Sequence, residues 1–112
     1  MEAIYVMTFL PTGKKYVGKT RYPLRQRLQS HLSKLNRGVH SSKELQKDFD
    51  DNNGTIDDFV IEQIDSQVLR RNLSMDKERE WMIKLKTYDE RFGYNVQDLS
   101  MRRVRRQLGL SS

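Results

Sequence analysis

The chain has 112 residues, 36% hydrophobic and 32% charged, with a net charge of +6 at pH 7; that length suits one domain with one modest core. The absence of cysteine excludes a disulfide framework and a thiolate zinc site and suits a reducing compartment. No apolar run reaches membrane-span length and no signal peptide opens the sequence, so a soluble, cytoplasmic protein with no membrane partner, most simply a monomer, is expected.

Ala3 to Phe9, rich in Ile, Val, Tyr and Phe, reads as a strand. Pro11-Thr12-Gly13-Lys14 reads as a turn, since Pro presets φ and Gly permits a positive φ. Lys15 to Thr20 then returns as the second strand of a β-hairpin. With the turn centred on Thr12-Gly13, Phe9 pairs with Tyr16, and Tyr5, four residues before Phe9, projects from the same side. Tyr5 and Tyr16 therefore share one face of the sheet, and a one-residue slip would part them.

Pro23 suits the first turn of a helix, along which Leu24, Leu28, Leu32 and Leu35 recur at helical spacing before Gly38. Ser41 or Ser42 can cap a second helix, which runs through Leu45 and Phe49 to Asn52-Asn53-Gly54. Phe59 to Ile64 alternates as a third strand, and a helix follows from about Val68 to Tyr88, with room for a break near Leu73-Ser74. Gly93 to Val96 forms a turn or a short extended piece, and residues from Ser100 form a short basic helix or fray. The order β-β-α-α-β-α predicts a small α+β domain over residues 1–98, a three-stranded antiparallel sheet flanked by helices, with a basic C-terminal tail at 99–112.

Charge is unevenly spread. Residues 1–43 carry nine Lys/Arg against one acid, a balance of +8; residues 44–98 carry eight basic and fourteen acidic residues, a balance of −6. The tail adds Arg102, Arg103, Arg105 and Arg106 with no acid. Basic clusters attract polyphosphate through Coulomb attraction and counterion release, so nucleic acid is one partner this pattern allows; a basic, soluble surface is the other reading.

Several side chains stand where folding alone does not require them. At about 100° per residue, the four leucines of the first helix fill an ~80° sector, with His31 at its edge and Arg27 one turn earlier. An ordinary pair at the border of core and solvent would look the same. On the last long helix Trp81, Met82 and Leu85 define an apolar face, with Glu78 in its middle and Glu80 pointing almost oppositely, toward solvent. A carboxylate aimed at a core costs several kcal/mol unless paired or bound to a cation. Glu78 is accordingly a metal ligand, a catalytic carboxylate or half of a buried ion pair. Asn95, by itself, reads as a turn residue.

Taken together these residues resemble a known family. Ala3-Ile4-Tyr5 followed by Tyr16-Val17-Gly18 resembles the paired signature of the GIY-YIG nucleases, and Arg27, Glu78 and Asn95 follow in that family's order and rough spacing, over about residues 3–96. Gly38-Val39-His40-Ser41-Ser42, Glu78 with Trp81, and Gly93-Tyr94-Asn95 are similar to blocks in the intron-encoded homing endonucleases of T-even phages. Ala3 replaces the signature's first Gly and Val17 replaces Ile; neither removes a side chain expected to do chemistry.

The resemblance implies a metal-dependent endonuclease that hydrolyses phosphodiester bonds in double-stranded DNA, with Mg2+ or Mn2+ held by Glu78. It implies that Arg27 binds the scissile phosphate, that Tyr5, alone or with Tyr16, positions or deprotonates the attacking water, that His31 and His40 lie near the phosphate, and that Asn95 braces the site. Lys19, Arg21 and Arg25, with Arg102, Arg103, Arg105 and Arg106, are expected to grip the DNA backbone, which gives affinity without a sequence code. A free tyrosine, with a pKa of about 10, is a poor base at neutral pH; a phenol lowered by neighbouring charge, a histidine and a metal-bound water all stay open as the base. The competing readings are a catalytically inactive DNA-binding module of the same fold and an RNA- or ribosome-associated protein. The set Tyr5, Tyr16, Arg27 and Glu78 separates the enzyme from both, since a pure binder has no use for the buried carboxylate.

Overall fold

The computed structural model describes residues 2–67 and 77–110. Strands β1 (Glu2–Phe9), β2 (Lys14–Thr20) and β3 (Phe59–Gln67) form one antiparallel sheet in the order β2-β1-β3. Helices α1 (Leu24–Asn36) and α2 (Lys43–Asp51) lie between β2 and β3 in sequence, and α3 (Lys77–Leu85) and α4 (Arg102–Gln107) follow. The expected α+β class and element order hold. The part of the last long helix predicted over 68–76 lies outside the described residues. Its C-terminal end falls at Leu85, short of Tyr88, because Lys86 turns left-handed at φ 57°. Among the described residues no helix is long and apolar enough to cross a membrane.

Each face of the sheet buries its own cluster. Tyr5, Met7 and Phe9 alternate along β1 and pack with Leu32 and Leu35 of α1, Leu45 and Phe49 of α2, Phe59 and Tyr94. Ile4 and Val17 face the other way, onto Met82 of α3, Tyr88 and Met101. Beyond residue 98, Met101 is fully buried, and Val104 and Leu110 pack beside it.

The hairpin differs from expectation by two residues. Phe9 pairs with Lys14 and Met7 with Tyr16, because Leu10 to Gly13 form a four-residue connection in which Gly13 N donates to Phe9 O at 2.8 Å. A slip of two leaves every side chain on its original face, so the predicted sharing of one face by Tyr5 and Tyr16 survives. The β1–β3 pairing also shifts between Ile4 and Tyr5, an irregularity directly beside the buried phenol.

Candidate active site

Tyr5 is fully buried and lies opposite Gly18. A Cβ on residue 18 would come within 2.4 Å of the Tyr5 Cζ and hydroxyl, so glycine is required there to let the ring cross the neighbouring strand. The rings of Tyr5 and Tyr16 stand 6.5 Å apart, tilted by 33°. Helix α1 brings Arg27 and His31, one turn apart, to the same phenol. Arg27 Nε donates to the Tyr5 hydroxyl at 3.0 Å, and His31 Nε2 lies 2.7 Å from it. Tyr5, Tyr16, Arg27 and His31 are thus in contact, with His31 also edge-on to the Tyr16 ring.

Behind His31 stands His40, with His31 Nδ1 and His40 Nε2 2.8 Å apart and the rings stacked at 5.0 Å. Ser42 N donates to His40 Nδ1 at 2.9 Å. All four ring nitrogens are therefore used inside the protein, and both rings are buried. The two histidines, expected near the phosphate, thus stand behind Tyr5 with each ring nitrogen bonded inside the protein. Burial, with Arg27 and then His40 and Lys34 as like charges, lowers the His31 pKa to about 3. Burial, with Lys34 and Arg27, lowers that of His40 to about 4. Burial raises the Tyr5 pKa, the Tyr16 charge adds to this, and Arg27 opposes it. Burial also raises Tyr16, again against Arg27.

Ser42 and Asn95 hold these elements together. Ser42 Oγ caps α2 by accepting from Leu45 N at 3.3 Å, and donates to Tyr94 O at 2.6 Å. Asn95 forks onto one residue of the edge strand: its Oδ1 accepts from Val17 N at 2.8 Å and its Nδ2 donates to Val17 O at 3.0 Å. The side chain thus imitates a further strand and fixes the backbone between Tyr16 and Gly18. Placed with the catalytic group on resemblance, Asn95 is a brace whose amide is spent inside the fold. Gly93 lets the chain approach closely enough for this, since a Cβ there would sit 2.3 Å from Thr87 Cα. Sequence reasoning offered Ser42 only as a possible helix cap. Its bonds to His40 and Tyr94 depend on partners 2 and 52 residues away and left no local signal beyond its place beside His40.

Glu78 is half-buried on α3, and so is Glu80, which was expected in solvent. The negative charge of Glu78 is among the influences that raise both phenols, which puts it within electrostatic reach of Tyr5 and Tyr16. Asp65 on β3 anchors α3 by accepting from Trp81 Nε1 at 2.9 Å and Lys77 Nζ at 3.3 Å. Among the described residues no group of three or more His, Asp and Glu side chains could hold a metal ion. Mg2+ does not need one: it keeps most of its waters and is commonly held by one or two carboxylates plus substrate phosphate oxygens. Glu78, whose charge is felt at Tyr5 and Tyr16, is a carboxylate of the kind that donor set uses.

The expected DNA contacts divide. Lys19, Arg21, Arg25, Arg102, Arg103 and Arg106 are exposed. Lys19 lies on β2 opposite Ile4, on the face away from Tyr5, and Arg21 stands 4.0 Å from Glu2. Arg105 differs from these. It is 5% exposed, and its Nη1 donates to the buried carbonyl of Tyr88, so its guanidinium is consumed in holding α4 to the domain.

Residues 1–95 match the GIY-YIG catalytic domain. Two solved structures share the fold. The catalytic domain of intron endonuclease I-TevI, in a mutant form, is 26% identical with a TM-score of 0.70, covering 88% of this chain and 96% of that one. The catalytic domain of homing endonuclease I-TevI is 24% identical with a TM-score of 0.69, covering 88% and 100%. No curated protein sequence matches the chain. Fold, site and family match define the class, an endonuclease catalytic domain. The chain belongs to the GIY-YIG family.

Proposed function

We propose that the protein hydrolyses phosphodiester bonds of double-stranded DNA with Mg2+ or Mn2+ held by Glu78, in the manner of a homing endonuclease. The observation that carries this reading is the 3.0 Å bond from Arg27 Nε to the Tyr5 hydroxyl, made where the charge of Glu78 is also felt. Arg27 spends its Nε on Tyr5, so a scissile phosphate would be met by its two Nη groups, end-on, where they offset charge gathering on the phosphorus oxygens. Tyr5, alone or with Tyr16, would position or deprotonate the attacking water. Its burial alone makes it a poor base; a divalent cation held by Glu78 would add positive charge in this site, which favours loss of a proton. Tyr16, half-buried beside it, shares the placement of water. The exposed Arg102, Arg103 and Arg106, with Lys19, Arg21 and Arg25, would track phosphates without reading bases. Support for a homing-like role comes from the likeness to the I-TevI catalytic domain.

The test is plasmid cleavage with Mg2+, repeated in EDTA and with Glu78→Ala. A loss of about 1000-fold is expected for the variant, with its fold kept, because a bound cation contributes several kcal/mol to such a reaction. Undiminished cutting in EDTA would remove the metal from the reaction, and undiminished cutting by Glu78→Ala would remove that residue as its ligand.

A further inference from the structure

The imidazole pair behind Tyr5 has a direction, and one main-chain amide sets it. Ser42 N–H can only donate, so His40 Nδ1, 2.9 Å away, must accept and carries no proton. The one N–H of His40 is then at Nε2, which donates to His31 Nδ1 at 2.8 Å. His31 Nδ1 therefore accepts as well, and the N–H of His31 is at Nε2, donated to the Tyr5 oxygen at 2.7 Å. A second proton on either ring would set donor against donor at one of these short contacts. Arg27 Nε–H donates to the same oxygen at 3.0 Å.

A phenol oxygen accepts two hydrogen bonds and donates one. Both acceptor positions of Tyr5 are filled from α1, by Arg27 and His31. The hydroxyl proton must then point away from that helix. The arrangement also closes a route. For Tyr5 to pass a proton to His31 Nε2, the protons of both rings would have to shift along the chain. The last would arrive at His40 Nδ1, facing Ser42 N–H, which cannot take it.

We propose that Ser42, His40 and His31 are a one-way donor chain that positions Tyr5, keeping its hydroxyl proton on the side away from α1, and that the histidines carry no proton during the reaction. A proton leaving Tyr5 leaves directly to the reacting side, and the phenolate left behind keeps two N–H donors, which strengthen as charge develops. The meaning of this for catalysis rests on the nuclease reading above; the direction of the chain does not.

Long-range proton–nitrogen correlation on the 15N-labelled protein at neutral pH reads the direction without any substrate. Both histidines are expected with a protonated Nε2 and a bare Nδ1; a proton on Nδ1 of either ring overturns the chain. Plasmid nicking with His31→Gln and His31→Ala then reads the role. A glutamine amide keeps an N–H near the imidazole Nε2 position but cannot relay a proton. The alanine variant should lose about 100-fold, the cost of deleting one preorganised donor, and the glutamine variant should recover most of that. Equal loss in two folded variants overturns the positioning role. Failure of the unmodified protein to cut, with the expected spectrum, would count against the nuclease reading while leaving the direction of the chain established.

Discussion

Arg27 and Arg105 invite comparison, because the sequence marks both for phosphate and the fold treats them in opposite ways. Arg27 is half-buried, and its Nε meets a phenol, a group that can lose a proton and become negative. Arg105 is buried, and its Nη1 meets the carbonyl of Tyr88, which cannot change its charge. A guanidinium beside a titratable oxygen can respond to a reaction, whereas one beside a main-chain carbonyl only supports the fold. The surroundings repeat the contrast. Arg27 sits with His31, a second tyrosine and the field of Glu78; Arg105 follows Val104, which packs on the apolar cluster of Ile4, Val17, Met82, Tyr88 and Met101, and its charge is felt at Asp89.

The sharpest way to break this comparison is to remove Arg27. Arg27→Ala should lower the cleavage rate by about 100- to 1000-fold, the usual cost of one preorganised donor to a developing charge. Its melting temperature should change little, since the side chain is half in solvent. Near-normal cleavage by a folded Arg27→Ala protein would place the two arginines in the same, structural class.

Arg105→Met should do the reverse. It keeps an unbranched side chain but leaves the Tyr88 carbonyl buried without a donor, so stability should fall by about 2 kcal/mol. Denaturant unfolding measures this. Cleavage per folded molecule should stay near the unmodified value at low salt, and a large loss there would return Arg105 to the DNA-contacting set.

How far such assignments can be read without coordinates varies with their range. The shared face of Tyr5 and Tyr16 follows from strand parity, which tolerated a register error of two. The leucines of α1 fix which side of that helix is buried, and so carry Arg27 and His31 to the sheet. Glu78, by contrast, is half-buried like Glu80, so helix angles alone overstated the difference between them. Arg105 could not be told from Arg102, Arg103 and Arg106 by composition: its bond to Tyr88, 17 residues earlier, is a matter of the fold. The same holds for Asn95, whose fork onto Val17 spans 78 residues and looks, in sequence, like an ordinary turn amide.

Mild acid offers the smallest and most selective perturbation, because it acts on the Arg27 side and not on the Arg105 side. The folded-state pKa values of His31 and His40, about 3 and about 4, lie below the ordinary value of 6.5. Their neutral forms are therefore the folded forms, and the unfolded chain binds more protons between about pH 4 and 6.5. Stability from this source is complete above the unfolded value and is lost as pH falls below it. Between pH 7 and pH 6 the two rings together should cost about 1 kcal/mol. The window stays above the range in which Asp89, held at about 2 chiefly by its bonds from Arg91, would titrate. Denaturant unfolding at the two pH values measures the loss, and a double variant lacking both imidazoles should show a flatter dependence. Arg105→Met should keep the full slope, since the group it removes has no part in the titration. An unmodified protein equally stable at pH 6 and pH 7 would mean that the imidazoles accept protons in the folded state, which a chain ending on the amide of Ser42 does not allow.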